Sequence, residues 1–346
     1  MYKNEKIEKL KLIKFCTDIF LKLQMDGEKA LVTSELLVEA DMMGHNTHGV
    51  RLISNYVQDI INHKMKVNGN YTIISDKEAS LTIDGSLLPG IWLTQKGVDQ
   101  AIARSKKFGV STVTIGNSHH NGALAAYFPK IIDMGLIGII KSSVPSAASV
   151  APFGGTQPLL TPNPMAIGFP TEETPVIIDI SASITTNNMI SFKIVNNEKF
   201  DFNCLLTSDG KPTNDPFVVR EKNGTVLPIG GMEYGHKGFG LALGIEALTQ
   251  GLSGFGRIDA PKSMNLSTFI QIIDPEFFSG LQTFKKQMSF TINKAKSNKP
   301  IEGKTIFIPG ERALKNKEKA INEGVELNQV TINQLVELSK KFNISF

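Results

Sequence analysis

The order of periodicities along the chain limits its fold more than any other feature. From about Asn4 to Met43, apolar residues recur at helical spacing in "KIEKLKLIKFCTDIFLKLQ" and "DGEKALVTSELLVEADMMG". Lysines take the opposite face and Gly44 is a stop signal. "GVRLISNYVQDIINHK" predicts a third helix, and the texture then changes. "YTIISDKEASLTIDG" reads as two short strands, "GIWLTQKGVDQAIARSKKFG" as an amphipathic helix ending at Gly109, and "VSTVTIG" as a strand. A helix in "ALAAYFPKIIDMG" and strands in "LIGIIKSS" and "PVIIDIS" follow. Strands and helices do not alternate regularly, so a doubly wound parallel sheet is not expected; the expectation is a mixed α+β fold.

Val144 to Thr174 is dense in Gly and Pro, like a linker. It nevertheless carries Leu159, Leu160, Met165, Ile167 and Phe169, too many apolar side chains for a solvated tether. A structured set of turns around a site is expected. The stretch from Asn196 to Pro228 reads as irregular, with turns at "SDGKP" and "KNGT". A glycine-punctuated helix is expected in "GHKGFGLALGIEALTQGLSGFG", strands in "STFIQIID" and "KTIFIPG", and a Lys/Glu-rich helical end.

Charge excludes little beyond a nucleic-acid binder. The 346 residues carry 37 Lys+Arg against 33 Asp+Glu, with no basic run interleaved with aromatics. No apolar run is long enough to span a bilayer. Two cysteines in a chain of this length give neither a disulfide framework nor a metal cluster. With a charged N-terminal stretch that lacks an apolar core, they predict a cytoplasmic protein with no membrane partner.

Several short stretches could carry chemistry. "GHNTHGVR" sets His45 and His48 three apart at a helix junction, with Thr47 suited to capping; a plain capping turn fits as well. "GNSHHNG" puts His119 and His120 between a strand and a helix, where ligands meet backbone N–H groups. An imidazole there could move a proton, or the stretch could be an ordinary polar loop. No Cys or carboxylate stands at ligand spacing, so no metal is expected. Asp179 ends a strand in "IIDIS", where a carboxylate could accept from ribose hydroxyls or simply cap. "GHKGFG" puts His236 and Lys237 at an expected helix start, a place for a phosphate. Neither a Walker loop nor G-x-G-x-x-G is present.

Taken together, "ADMMGHNTHGVR", "GNSHHNGALAAY", "APFGGTQPLLTPNPMAIGFPT", "VIIDISAS", "KPTNDPF", "GHKGFGLAL" and "IPGER" resemble the malate/L-lactate dehydrogenase type 2 family, in its order from about residue 5 onward. That family includes malate, lactate, sulfolactate and ureidoglycolate dehydrogenases and cyclic imino acid reductases. The resemblance implies a non-Rossmann NAD(P)-binding fold, a homodimer, and hydride transfer between NAD or NADP and a small 2-hydroxy acid/2-oxo acid pair, malate/oxaloacetate first. A dinucleotide-binding relative without turnover is the alternative from another class. The resemblance also implies a helical domain from residues 1–75 with 312–346, and a cofactor and substrate region over 76–311 that includes the insert at about 144–228.

By the same resemblance, His120 is the general acid/base, and His48 with Thr47 binds and polarises substrate. Ser143, Asp179, Ile180, Ser181, Lys237, Gly310, Glu311 and Arg312 contact cofactor. Three departures stand out. The family's H-G-V-x-R-L reads "HGVRLI" here, so Leu52 takes the place of the substrate-binding arginine, and Arg51, the substrate-binding candidate in its stead, stands one residue early, about 100° around a helix. A-x-G-K-I reads Thr186-Asn187-Asn188-Met189-Ile190, which replaces the Gly-Lys pair. Cys204 stands where a tryptophan is common.

Overall fold

The computed structural model describes residues 5–346. The chain begins with a short strand, β1 (Glu5–Ile7), where helix is expected; Asn4 lies outside the described residues. Helix α1 (Lys9–Lys22) starts only after Glu8, whose carboxylate accepts from the N–H groups of Leu10 and Lys11. Helix α2 (Gly27–Met42), capped by Asp26, and α3 (Ile53–Ile61) complete the N-terminal helices. β2 (Thr72–Lys77), β3 (Ser80–Asp84), α4 (Gly90–Phe108) and β4 (Val110–Ser118) follow. Next come α5 (Phe128–Asp133), β5 (Ile137–Ser143), β6 (Pro164–Phe169) and β7 (Val176–Ser181).

The segment read as irregular contains real elements. α6 (Asn187–Val195) is capped by Thr186, and β8 (Leu205–Leu206), β9 (Pro212–Thr213), α7 (Phe217–Glu221) and β10 (Thr225–Val226) come after it. α8 (Gly231–Glu246), β11 (Leu266–Ile273), α9 (Leu281–Lys296), α10 (Glu311–Glu323), β12 (Val325–Leu327) and α11 (Gln329–Phe342) finish the chain.

Seven strands form the main sheet in the order β2-β3-β4-β11-β5-β6-β7. Only β3 and β4 pair in parallel; every other neighbouring pair is antiparallel. The sheet is therefore mixed rather than doubly wound, as the irregular alternation predicts. β10, β8 and β9 make a small second sheet.

Two sequence expectations fail for one reason, that a strand exists only through its partner. β1 pairs with β12, some 320 residues away, and this pair also interrupts the expected C-terminal helix. In contrast, "KTIFIPG" forms no ladder; Ile177 N–H donates to the Pro309 carbonyl there. α8 also starts at Gly231 instead of near His236, since Gly230 and Gly231 both take positive φ and turn the chain into the helix early.

Three cores result. Leu12, Phe20, Leu37 and Ile53 pack with Val325, Ile332 and Leu335, joining both ends of the chain. Trp92, Ile115, Phe128, Ile140 and Ile270 fill the space against the main sheet. Val150, Leu160, Ile190, Cys204, Leu205 and Ile245 form a separate core for the Gly/Pro-rich insert, which is thus a folded unit and not a tether.

One buried acid makes stability depend on pH. Asp41 is buried in α2 and accepts the Val50 N–H at 2.7 Å. Burial lifts its carboxyl from 3.8 to about 8, so the native state holds it neutral near pH 7. A group whose folded pKa is raised contributes most below its unfolded pKa and loses that contribution as pH rises through 8. Asp41→Asn, which keeps an acceptor for Val50, is expected to melt at or above the wild-type temperature at pH 9. A melt several degrees lower would show that the charged acid is what the fold uses.

Candidate active site

Several chain segments meet at one cleft of about 370 Å³, within the usual range for small-ligand sites. The turn after α2 brings His45, Thr47 and His48. The turn after β4 brings His120, Asn121 and Gly122. The end of β5 brings Ser142, and the end of β7 with the start of α6 brings Asp179, Ile180, Ser181, Thr186 and Asn188.

The His120 loop is held by its neighbours. Gly122 takes φ +69°, which turns the chain back over the ring, and its N–H lies 3.2 Å from His120 Nδ1. Tyr56 of α3 places its hydroxyl 2.8 Å from the same nitrogen. Asn121 donates to Ser142 Oγ and to Thr268 Oγ1, both at 3.2 Å, tying the loop to β5 and β11. His119 turns away from the cleft: it is buried, packs edge-on against Tyr56 and pairs through Nε2 with Asp59 at 3.1 Å. The adjacent histidines thus separate into one that faces the cleft and one that braces α3.

His48 stacks near His120, with ring centroids 5.8 Å apart and planes 18° apart. Its Nδ1 lies 2.9 Å from Thr47 Oγ1 and its Nε2 lies 3.2 Å from Asn188 Nδ2. Burial, and then neighbouring His45, lowers its pKa to about 4. Burial, then His48 and His119, lowers that of His120 to about 3. Two neutral imidazoles close together is what burial produces where no acid is hydrogen-bonded to either ring. Asp179 accepts the Ala125 N–H at 3.0 Å; burial raises its pKa, opposed by His45 and by that hydrogen bond.

Other expected residues lie elsewhere. Leu52 is buried in the helical core, and Arg51, half-buried beside it, does not line the cleft. Ser143 faces the opposite side of β5 from Ser142: its Oγ meets Thr249 Oγ1 at 2.6 Å and accepts from Gln250 Nε2 at 3.0 Å. Successive strand residues point to opposite faces, so a shift of one residue decides which serine sees the cleft. Lys237 is exposed on α8, with Nζ 5.1 Å from the Tyr234 ring centre.

Gly310 (φ +89°) packs against the backbone of Ile177, outside the cleft. Glu311 meets Lys296 at 2.7 Å and Lys315 at 3.2 Å beside a second cavity of about 270 Å³, and Arg312 lies over Phe307. Those two lysines and the Ile308 N–H hold the Glu311 carboxyl at about 2. Among the described residues lining the main cleft, none is lysine or arginine.

Sequence reasoning missed Tyr56, Ser142 and Asn188. Tyr56 follows His48 by eight residues, but only the fold of α3 against the β4 loop brings it to His120. Asn188 was visible only as a departure from a glycine.

The cleft suits a nicotinamide nucleotide in its donor set. Val144, Ala147, Pro162 and Leu266 give an apolar wall for a ring, and Asp179, Ser181 and Thr161 give acceptors and hydroxyls for a ribose or carboxamide.

Comparison with known proteins agrees. The chain matches the malate/L-lactate dehydrogenase family over residues 7–336. It is 31% identical to malate/(S)-sulfolactate dehydrogenase of Methanothermus fervidus, over 93% of this chain and 94% of that one. It is 30% identical to L-sulfolactate dehydrogenase of Methanocaldococcus jannaschii, over 96% of each. The crystal structure of malate dehydrogenase from Entamoeba histolytica superposes with a TM-score of 0.94 at 26% identity, covering 99% of both chains. A mixed sheet closed by helices from both chain ends, a cleft holding two neutral histidines, and these matches together assign the chain to the malate/L-lactate dehydrogenase family, oxidoreductases that act on the CH–OH group of their donors.

Proposed function

We propose that this protein transfers hydride between NAD or NADP and a small 2-hydroxy acid/2-oxo acid pair, with malate/oxaloacetate first and lactate or sulfolactate as near alternatives. The observation that carries the reading is the convergence of His48 and His120, 5.8 Å apart, in a cleft that also holds Asp179. The cofactor supplies or accepts the hydride. Everything else falls to this chain.

His120 is the acid/base. Its Nδ1 takes the Gly122 N–H, and a peptide N–H can only donate, so the neutral ring carries its proton on Nε2. An Nε2–H can polarise the oxygen of a 2-oxo acid. When both ring nitrogens are protonated, the ring delivers the Nε2 proton to that oxygen as hydride reaches C2 and keeps the other on Nδ1, where the Tyr56 hydroxyl can accept it; in oxidation this Nδ1–H form takes the proton back at Nε2. Thr47, His48 and the Asn-rich start of α6 hold the rest of the substrate, without a cationic clamp. Asp179, Ile180, Ser181 and the end of β5 hold the cofactor near the reacting centre. For Ser143, Lys237, Gly310, Glu311, Arg312 and Arg51, a ligand role rests on the family resemblance alone. We place the protein in the cytoplasm as a homodimer; two free, buried cysteines support a reducing compartment.

The test is absorbance of NADH or NADPH with oxaloacetate, pyruvate, sulfopyruvate and a cyclic imino acid. Consumption with one of the 2-oxo acids supports the reading. Binding of dinucleotide by calorimetry with no turnover across the panel replaces it with a binding protein.

A further inference from the structure

The two cleft histidines are held in opposite tautomers. Asn188 Nδ2 lies 3.3 Å from the Thr47 backbone carbonyl and 3.2 Å from His48 Nε2. A carbonyl oxygen can only accept, so the amide must present its NH₂ there. The same nitrogen then donates to His48 Nε2, which must accept. The neutral ring therefore carries its proton on Nδ1 and gives it to Thr47 Oγ1 at 2.9 Å. His120 is the reverse, with its proton on Nε2.

We infer that Asn188 is a positioning residue that fixes His48 as the Nδ1–H tautomer and covers Nε2, so that His48 can donate to a substrate oxygen only after Asn188 lets go. The consequence for substrate rests on the proposed reading of the site. A 2-oxo acid presents only acceptors, in its carboxylate and its carbonyl. A neutral His48 with Nε2 occupied has no N–H to offer them. The family pattern that the sequence resembles has glycine at this place, which has no side chain to reach an imidazole.

The ionisable groups that share the cleft with His48 are His45 from its own turn, His120 from the β4 loop and Asp179 from β7. α6 contributes only neutral side chains to the cleft, Thr186, Asn187 and Asn188. The ring is thus set by a neutral amide and not by an ion pair.

Asn188→Ala tests this directly, and Asn188→Gly serves if it folds poorly. Asn188 is half-buried in the first turn of α6, where alanine favours helix. Nitrogen-15 NMR of the substrate-free protein reads which ring nitrogen of His48 carries the proton. In the variant, a substantial fraction should move to the Nε2–H form. The midpoint of His48 should also rise, since a donor that favours the neutral ring is gone. KM for the 2-oxo acid should fall about threefold to tenfold, the size of one freed hydrogen bond, and carry the rise in kcat/KM. Asn188→Asp should move the midpoint further up and raise KM through repulsion of the anionic substrate. A His48 that keeps its proton on Nδ1 in Asn188→Ala, with an unmoved midpoint, overturns the inference. So does a higher KM in that variant. The NMR arm needs neither cofactor nor substrate, so an inactive protein leaves it decisive.

Discussion

His120→Gln should lower kcat by roughly 10²-fold or more, the usual worth of a positioned acid/base, while cofactor affinity and the melting temperature stay near wild type. Glutamine can still offer an N–H to the substrate oxygen but cannot exchange a proton with it, so the loss isolates proton transfer from polarisation. The pH dependence gives a second readout. Burial and the neighbouring His48 and His119 depress the His120 pKa to about 3, so the ring is neutral across the physiological range. Reduction needs the protonated ring, so its rate should climb as pH is lowered from neutral, as more of the ring is charged. Oxidation needs the neutral ring and should show no such climb. In His120→Gln the pH dependence of reduction should flatten. An unchanged kcat would mean that another group moves the proton.

Gly90→Ala should damage both fold and activity, though Gly90 does not line the cleft. A Cβ at Gly90 would sit 1.8 Å from the His119 carbonyl oxygen and 2.6 Å from that of His120. Those are backbone atoms of the His119–His120 turn, so no side chain can swing aside; α4 or the turn must move. Overpacking of this kind costs about 1–3 kcal/mol. Displacement of His120 by even about 1 Å can cost up to about 10²-fold in rate. The expected result is a clearly lowered Tm with kcat down tenfold or more. Gly27→Ala is the control, since nothing lies within 4 Å of a Cβ there, and it should leave both unchanged. If Gly90→Ala behaves like Gly27→Ala, the turn is not seated on α4 as described.

What was legible in the sequence follows from how local each signal is. The amphipathic helices and the failure of strands and helices to alternate are local, and they led to the right fold class. The pairing of β1 with β12 is not: three residues gain a strand only from a partner at the other end of the chain. "KTIFIPG" shows the converse, a strand-like run with no ladder to join.

At the site, residue types alone could not rank His119 above His120. The resemblance chose His120; in the structure His120 lines the cleft and His119 pairs with Asp59. Which of Ser142 and Ser143 faces the cleft turns on strand alternation, which a motif alignment uncertain by a residue or two cannot fix. The partnership of Tyr56 with His120 and of Asn188 with His48 joins residues 64 and 140 positions apart, and no spacing rule reaches so far.

The replacement of the family arginine by Leu52 also has a structural meaning. Leu52 is buried in the helical core, and no described lysine or arginine lines the cleft in its stead. The described lining of the cleft therefore offers an anion only neutral donors and histidines.

The most direct test of the central claim is isotope transfer. Protein is incubated with NADH or NADPH carrying deuterium at the transferable position of the nicotinamide, together with oxaloacetate, pyruvate or sulfopyruvate, and the product is read by mass spectrometry and NMR. One deuterium at C2 of the 2-hydroxy acid, abolished or greatly slowed in His120→Gln, is the expected result. No label at C2 with any of these acids and either cofactor, from folded protein that binds dinucleotide, would contradict it.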